Sequence, residues 1–377
     1  MHQKKLAVKT ITCHDVNIFG ASLQAYALMR YLESLGHDVE IIDYKPDYLT
    51  FNLWAIGSKW NRNIFIRLLY YSFVVPRRIT LKKRRNKFNL FKQTKLKITS
   101  LKYKSIDDLK NSIPLADVYF AGSDQIWNPL LPNGKDPSFF LTFAPKGSIR
   151  ASYAASFSVS EVPEEIIPEM KKWISDLNFV SVRESSGLEI LKSLDITNGE
   201  VVIDPVYLLS ENQWDELIKP YSKDKYLFIY DQENSPLIKE AALMLAKKYD
   251  LKIYAIEALY PFRYAQRRIR DAGPEDFISL IRGCEICLTN SFHCISFSII
   301  FHKKFYLFKR THLKVNSRMV DLLNFIGLQH LIVEKLEDSM QLIDINYTEV
   351  QKKLSERINY SFDYIKRVLN SSCNYEA

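Results

Sequence analysis

His293 is the residue whose neighbours best suit it to move a proton on an anionic small molecule. It stands in Thr289-Asn290-Ser291-Phe292-His293, where a short apolar run gives way to three helix-cap residue types and then to an apolar stretch ending at Phe301. The pattern predicts a strand over 285–289 and a helix over 292–301 with His293 in its first turn. In open α/β sheets, ligands lie outside the carboxyl ends of the strands. Unpaired amides at a helix start favour an anion, so Asn290 and Ser291 join His293 as candidate binding residues.

Gly122-Ser123-Asp124-Gln125-Ile126-Trp127-Asn128-Pro129 follows another predicted strand. Ser123 and Gln125 can cap or bind, Trp127 offers a stacking face, and Asp124 could orient a sugar hydroxyl or act as a base. A plain strand-exit turn with Trp127 in the core is the rival reading. Thr12-Cys13-His14-Asp15-Val16-Asn17-Ile18-Phe19-Gly20 leaves the first strand with one glycine, not the three of a dinucleotide fingerprint. His14 and Asp15 there could touch a ligand, and Asn17 equally serves as a helix cap. Arg183 at a strand exit fits a carboxylate or phosphate, or a structural ion pair with Glu184 or Glu189. Cys284 and Cys287 have the spacing of a redox or metal motif, but no second close pair exists and strand alternation points them apart. No metal is expected. Pro274, Glu275 and Asp276 read as an ordinary helix start.

These positions must be held by a larger frame. Strand patterns over 6–12, 39–43, 117–121, 150–156, 179–183 and 201–203 alternate with helices over 19–35, 164–176 and 184–194. A second series follows Asp204-Pro205: strands over 226–230, 251–256, 285–289 and 305–308, with helices over 236–249, 274–281, 292–301 and 315–326. This is the signature of two Rossmann-like α/β domains, over 1–205 and 206–346, facing across a cleft. An amphipathic helix over 347–369 and a tail end the chain.

The 377 residues can bury two cores, and five sparse cysteines suit a reducing compartment. The first residues lack the apolar region of a signal peptide, and no uncharged apolar run reaches 18 residues, so a cytoplasmic protein is expected. The net charge of +9 is localised: residues 48–106 carry 15 of the 52 basic residues and no acidic ones, leaving 37 against 43 acidic elsewhere. The segment reads as a basic, apolar insertion, with an apolar helix over 64–75 beside a polybasic run. That combination suits an anionic membrane surface through residues 60–100. Nucleic acid is not expected, because stacking motifs and a known binding fold are missing.

With its motifs in order, the sequence resembles the polysaccharide pyruvyl transferase family over nearly its whole length. The marks are residues 17–28, 122–128, 152–157, 181–184, 204–209, 273–277 and 289–293. The resemblance implies a fold like the two-domain glycosyltransferase fold called GT-B. It implies transfer of the pyruvyl group of phosphoenolpyruvate, as donor substrate with no cofactor, onto two hydroxyls of a sugar, giving a cyclic ketal and phosphate. His293 would then donate the proton or assist phosphate departure, and Asp124 or Asp15 would accept the hydroxyl proton. Some members carry arginine two residues before the histidine, where this chain has Ser291, so Arg183, with Arg318 or Arg263, must hold the donor. The acceptor would be a sugar on a lipid diphosphate carrier at the inner membrane face. A GT-B glycosyltransferase using a nucleotide sugar and a non-catalytic carbohydrate-binding subunit are the alternatives.

Overall fold

The computed structural model describes residues 4–49, 81–257, 261–311, 316–336 and 341–372. Strands β1 (Ala7–Ile11), β2 (Asp38–Tyr44), β3 (Ile98–Tyr103), β4 (Val118–Ala121) and β5 (Ile149–Ser152) form a parallel sheet in the order β3-β2-β1-β4-β5. A parallel pair, β6 (Val180–Val182) and β7 (Gly199–Val201), continues it through a bridge between Ala151 and Phe179. The second sheet comprises β8 (Tyr226–Tyr230), β9 (Lys252–Ile256), β10 (Arg267–Ile269), β11 (Ile286–Thr289), β12 (Lys304–Phe308) and β13 (Ile332–Val333). Its order is β10-β9-β8-β11-β12-β13, again parallel.

Parallel strands are covered on both faces, which is why the central ones read as unbroken apolar runs. Val-Tyr-Phe-Ala in β4 and Tyr-Leu-Phe-Ile-Tyr in β8 are buried at every position. In each sheet the strand order reverses once, between β1 and β4 and between β8 and β11. Those switch points are where an open α/β sheet opens a crevice. The two α/β units facing across a cleft are therefore present, although β7 ends where the sequence pattern began its strand.

The helices are α1 (Phe19–Ser34), α2 (residues 81–95), α3 (Ile106–Asn111), α4 (Ile167–Ser175), α5 (Ser185–Ser193), α6 (Glu211–Asp215), α7 (Pro236–Tyr249), α8 (Pro274–Gly283), α9 (Phe292–Ile300), α10 (Ser317–Ile326) and α11 (Tyr347–Ser371). α11 docks on both units. Its Tyr347 hydroxyl donates to the Lys303 carbonyl in the second, while Tyr364 donates to the Ser152 carbonyl (2.8 Å) in the first. Phe362 stacks on Tyr31 at 4.7 Å.

The described half of the basic segment is built into the fold. It supplies the edge strand β3 and helix α2, whose Phe88 and Phe91 are buried in the core. Lys92 pairs with Asp15 of the first unit (2.9 Å) and Lys87 with Asp276 of the second (2.9 Å). These two pairs tie α2 to both units, while Lys82 and Lys83 of the same helix are exposed. The expected apolar helix over 64–75 lies outside the described residues. Among the described residues, no helix is long and apolar enough to cross a membrane.

Candidate active site

β11 ends at Thr289, whose hydroxyl donates to the Tyr230 carbonyl (2.6 Å) and accepts from the Ser291 N–H (3.1 Å). Ser291 is the residue before α9, extended at φ −116°, and its side chain makes no capping bond. The opening amides of α9 are thus not consumed by their own cap. The residues that open the helix, Ser291, Phe292 and His293, line a cavity of about 170 Å³ that Asp124, Gln125, Arg310 and Arg318 also border. A larger cavity, about 540 Å³, lies among α1, α11 and residues 207–213, but no arginine or lysine lines it.

His293 is buried, 7% exposed, and its Nε2 lies 3.6 Å from Asp204 Oδ2 with no hydrogen-bond partner. Gly20 makes that position available. A Cβ built on Gly20 would overlap the imidazole ring, so only glycine at the start of α1 lets the histidine of the other unit sit there. Phe19 beside it stacks on Phe277 at 4.6 Å, closing the two units around the contact.

Arg183 donates through Nη1 to Asp204 Oδ2 (2.6 Å), lies 3.5 Å from Asp124 Oδ1, and covers the Phe292 ring at 4.7 Å. Burial opposes its charge, but Asp204, Asp124 and Glu184 outweigh that and raise its pKa. Burial alone would raise the Asp204 carboxyl. His293 and Arg183 more than reverse this and hold it well below the usual carboxylate range. The arginine at the strand exit is ion-paired, most closely with Asp204 and at 3.6 Å with Glu184; it does not line the cavity itself but lies against Asp124, which does.

Arg318 opens α10 with its side chain 10% exposed, and Nη1 lies 3.6 Å from Asp124 Oδ1. With the Gln125 amide oxygen turned toward it, the two terminal nitrogens donate at 3.1 and 2.9 Å. Burial, then the neighbouring Arg183, lower its pKa to about 10, the mark of a cation short of counter-charge. Arg310 donates through Nη2 to Gln232 Oε1. The Nε atoms of Arg310 and Arg318, both on the cavity lining, are buried without a hydrogen-bond partner. Orphaned charged donors converging with a histidine on one cavity call for an anion.

Other candidates stand elsewhere. Asn290 borders the cavity, but its amide is spent on Asp231 Oδ1 (2.7 Å) and the Gln232 N–H (2.9 Å). Ser123 is fully buried and donates to the Ala154 carbonyl (2.7 Å). Trp127 is in the core, stacked on Phe140 at 5.4 Å, as the rival reading had it. His14 faces Asp43 (3.3 Å), and Asp15 is held by Lys45 (2.7 Å) and Lys92 (2.9 Å). Neither borders the cavity, and Asp15 is a weak base because those lysines outweigh burial and lower its pKa. Asn17 adopts φ 54°, a left-handed turn before α1, and its Oδ1 has no partner. Arg263 is exposed and outside the cavity lining. Cys287 and Cys294 touch, Sγ to Sγ 3.3 Å, in the core beneath α9. Sequence reasoning missed Asp204, Gly20 and Arg310. The first opened the run 204–209 and the second closed the Asn17-Ile18-Phe19-Gly20 run, whereas Arg310 carried no local signal.

Two doubly wound units that bring a histidine and two arginines to one cavity define an α/β protein with a cation-lined cleft between its sheets. The sequence profile of the polysaccharide pyruvyl transferase family matches residues 19–312, and the chain belongs to that family. A comparison with curated proteins finds no match. Among solved structures the chain is similar to a UDP-GlcNAc 2-epimerase from Methanocaldococcus jannaschii (12% identity, TM-score 0.48, 98% of this chain and 100% of that one). It is also similar to the glycosyltransferase SnogD from Streptomyces nogalater (9% identity, TM-score 0.45, 97% and 100%). The fold assignment rests on the two strand orders.

Proposed function

We propose that the protein transfers the pyruvyl group of phosphoenolpyruvate onto two hydroxyls of a sugar in a polysaccharide precursor. The product is a cyclic ketal, and phosphate is released. What carries this reading is one cavity where His293, whose Nε2 lies 3.6 Å from Asp204 without a hydrogen bond, meets Arg310 and Arg318, in a chain of this family. Phosphoenolpyruvate brings a carboxylate and a phosphate, which such a cavity suits.

In this reading His293 delivers a proton to the methylene carbon, leaving an oxocarbenium centre at C2 that the first sugar hydroxyl attacks. The C2–O bond to phosphate then breaks, and the second hydroxyl closes the ring. Of the two hydroxyl protons, one balances that gained by the new methyl group and the other leaves with phosphate. Asp124, between Arg183 and Arg318, is the carboxylate available to the attacking hydroxyl. Asp204 holds His293 and Arg183 in register. Incubation with phosphoenolpyruvate and candidate sugars, following phosphate, tests the reading. Consumption of a nucleotide sugar without phosphoenolpyruvate turnover would replace it with glycosyl transfer, and turnover of neither would leave a carbohydrate-binding subunit.

A lipid-diphosphate-linked acceptor would bring the protein to the inner face of the membrane. Lys82 and Lys83 are exposed on α2 and available to anionic lipid. Reversing both to glutamate should weaken cosedimentation with phosphatidylglycerol vesicles at least threefold. Unchanged cosedimentation removes α2 from any membrane contact.

A further inference from the structure

Arg310 reaches the cavity from just beyond the carboxyl end of β12, and its placement is built. The Asn316 side chain engages both of its main-chain groups: the Arg310 N–H donates to Asn316 Oδ1 (2.9 Å), and Asn316 Nδ2 donates to the Arg310 carbonyl (2.9 Å). Gln232 Oε1 accepts from Nη2, and the Gln232 N–H is fixed on Asn290 Oδ1 (2.9 Å), two residues before α9 begins. A neutral amide thus aims the guanidinium without cancelling its charge. Glu233 and Asp231 act on it electrostatically, but among the described residues neither forms an ion pair with it, and both spend hydrogen bonds elsewhere. Asp231 accepts from the Glu233 and Ser235 N–H groups (2.9 and 2.7 Å) and from Asn290, and Glu233 accepts from the Thr311 N–H (2.8 Å). Arg310 Nε remains buried and unpartnered. Arg318, by contrast, already faces Asp124 and Gln125.

We propose that Arg310 is the phosphate-binding residue of the donor site, acting with the opening amides of α9, while Arg318 faces the donor carboxylate. Ser291, small and neutral, leaves room for the phosphate between them. Arg310 is aimed by Gln232 and Asn316 rather than by a counter-ion, so its charge is available to the ligand. The assignment rests on the pyruvyl-transfer reading, and its test separates the two.

Calorimetric titration of the full chain with inorganic phosphate, phosphoenolpyruvate and pyruvate decides it. Arg310→Ala should weaken phosphate and phosphoenolpyruvate about tenfold or more and pyruvate less than threefold, with Arg310→Lys recovering part of the loss. Arg318→Gln should show the reverse order. If Arg310→Ala fails to fold, Gln232→Leu, which frees Nη2, should still cost phosphate affinity at least threefold at an unchanged melting temperature. Phosphate binding equal to wild type in the folded Arg310 variants or in Gln232→Leu, or a larger loss for pyruvate than for phosphate, overturns the assignment. Uridine diphosphate binding by the wild type without phosphoenolpyruvate binding would sink the pyruvyl-transfer reading, while the phosphate titrations would still judge Arg310.

Discussion

Beyond β1 the charged side chains His14 and Asp15 are spent on neighbours, although Asn17 Oδ1 is not, whereas beyond β11 and β12 several donors that face the cavity lack hydrogen-bond partners. His14 faces Asp43 and Asp15 lies between two lysines, while Ser123, just beyond the neighbouring β4, donates to a carbonyl. Across the cleft, His293 Nε2, 3.6 Å from Asp204, and the Nε atoms of Arg310 and Arg318 are buried without hydrogen-bond partners. The two sheets have the same switch-point topology, so topology alone does not make a ligand site. The first edge uses its polar groups to hold loops together, and each bond made there is worth about 1 kcal/mol of stability. The second keeps desolvated donors in place, which costs stability and is retained where a ligand supplies the missing partner.

Several substitutions would break or sharpen that contrast. His293→Ala should lower turnover by about 10²–10⁴ with the circular dichroism spectrum unchanged, the range for loss of a general acid. Near-wild-type turnover would remove His293 from the chemistry. Asp204→Asn breaks a buried network with Arg183 and His293, and should cost about 3–5 kcal/mol in denaturant unfolding at pH 7. The sign of its pH dependence follows from the depressed carboxyl. The folded pKa lies below the unfolded value of about 3.9, so the stabilisation is full above that value and fades as pH falls below it. The gap in melting temperature between wild type and Asp204→Asn should therefore narrow below about pH 4, and a constant gap would contradict the ion-paired assignment. Gly20→Ala, distant in sequence, displaces the imidazole and should lower turnover about tenfold or more. Asp15→Asn is the smallest: turnover within about threefold of wild type, with about 1 kcal/mol lost from the pairs with Lys45 and Lys92. A large loss of turnover there would restore Asp15 to the site.

Periodicity and cap chemistry made much of this legible. The helix expected over 292–301 is α9 to within one residue, and the run 226–230 is β8 without adjustment, because apolar patterns bounded by cap or turn residues are local signals. β3 was illegible inside a basic segment: at an exposed edge its Lys102 and Ser100 faces read as solvated chain. Asp124, Arg183, His293 and Arg318 were legible as strand-exit or helix-start residues, and the fold brings them together. Asp15 and His14 carried the same local signal, yet their partners, Lys45, Lys92 and Asp43, came from neighbouring strands and helices. Arg310 was invisible because its role depends on Gln232 and Asn290, groups that only the finished second sheet sets beside it.

The central claim is that the orphaned donors beyond β11 and β12 hold phosphoenolpyruvate for transfer. The most direct measurement is phosphate release from phosphoenolpyruvate with a panel of sugars, read alongside the ketal methyl signal in proton nuclear magnetic resonance. The account predicts one phosphate for each ketal formed by the wild type, and neither from His293→Ala. Ketal-free phosphate release, or turnover of a nucleotide sugar alone, would contradict it.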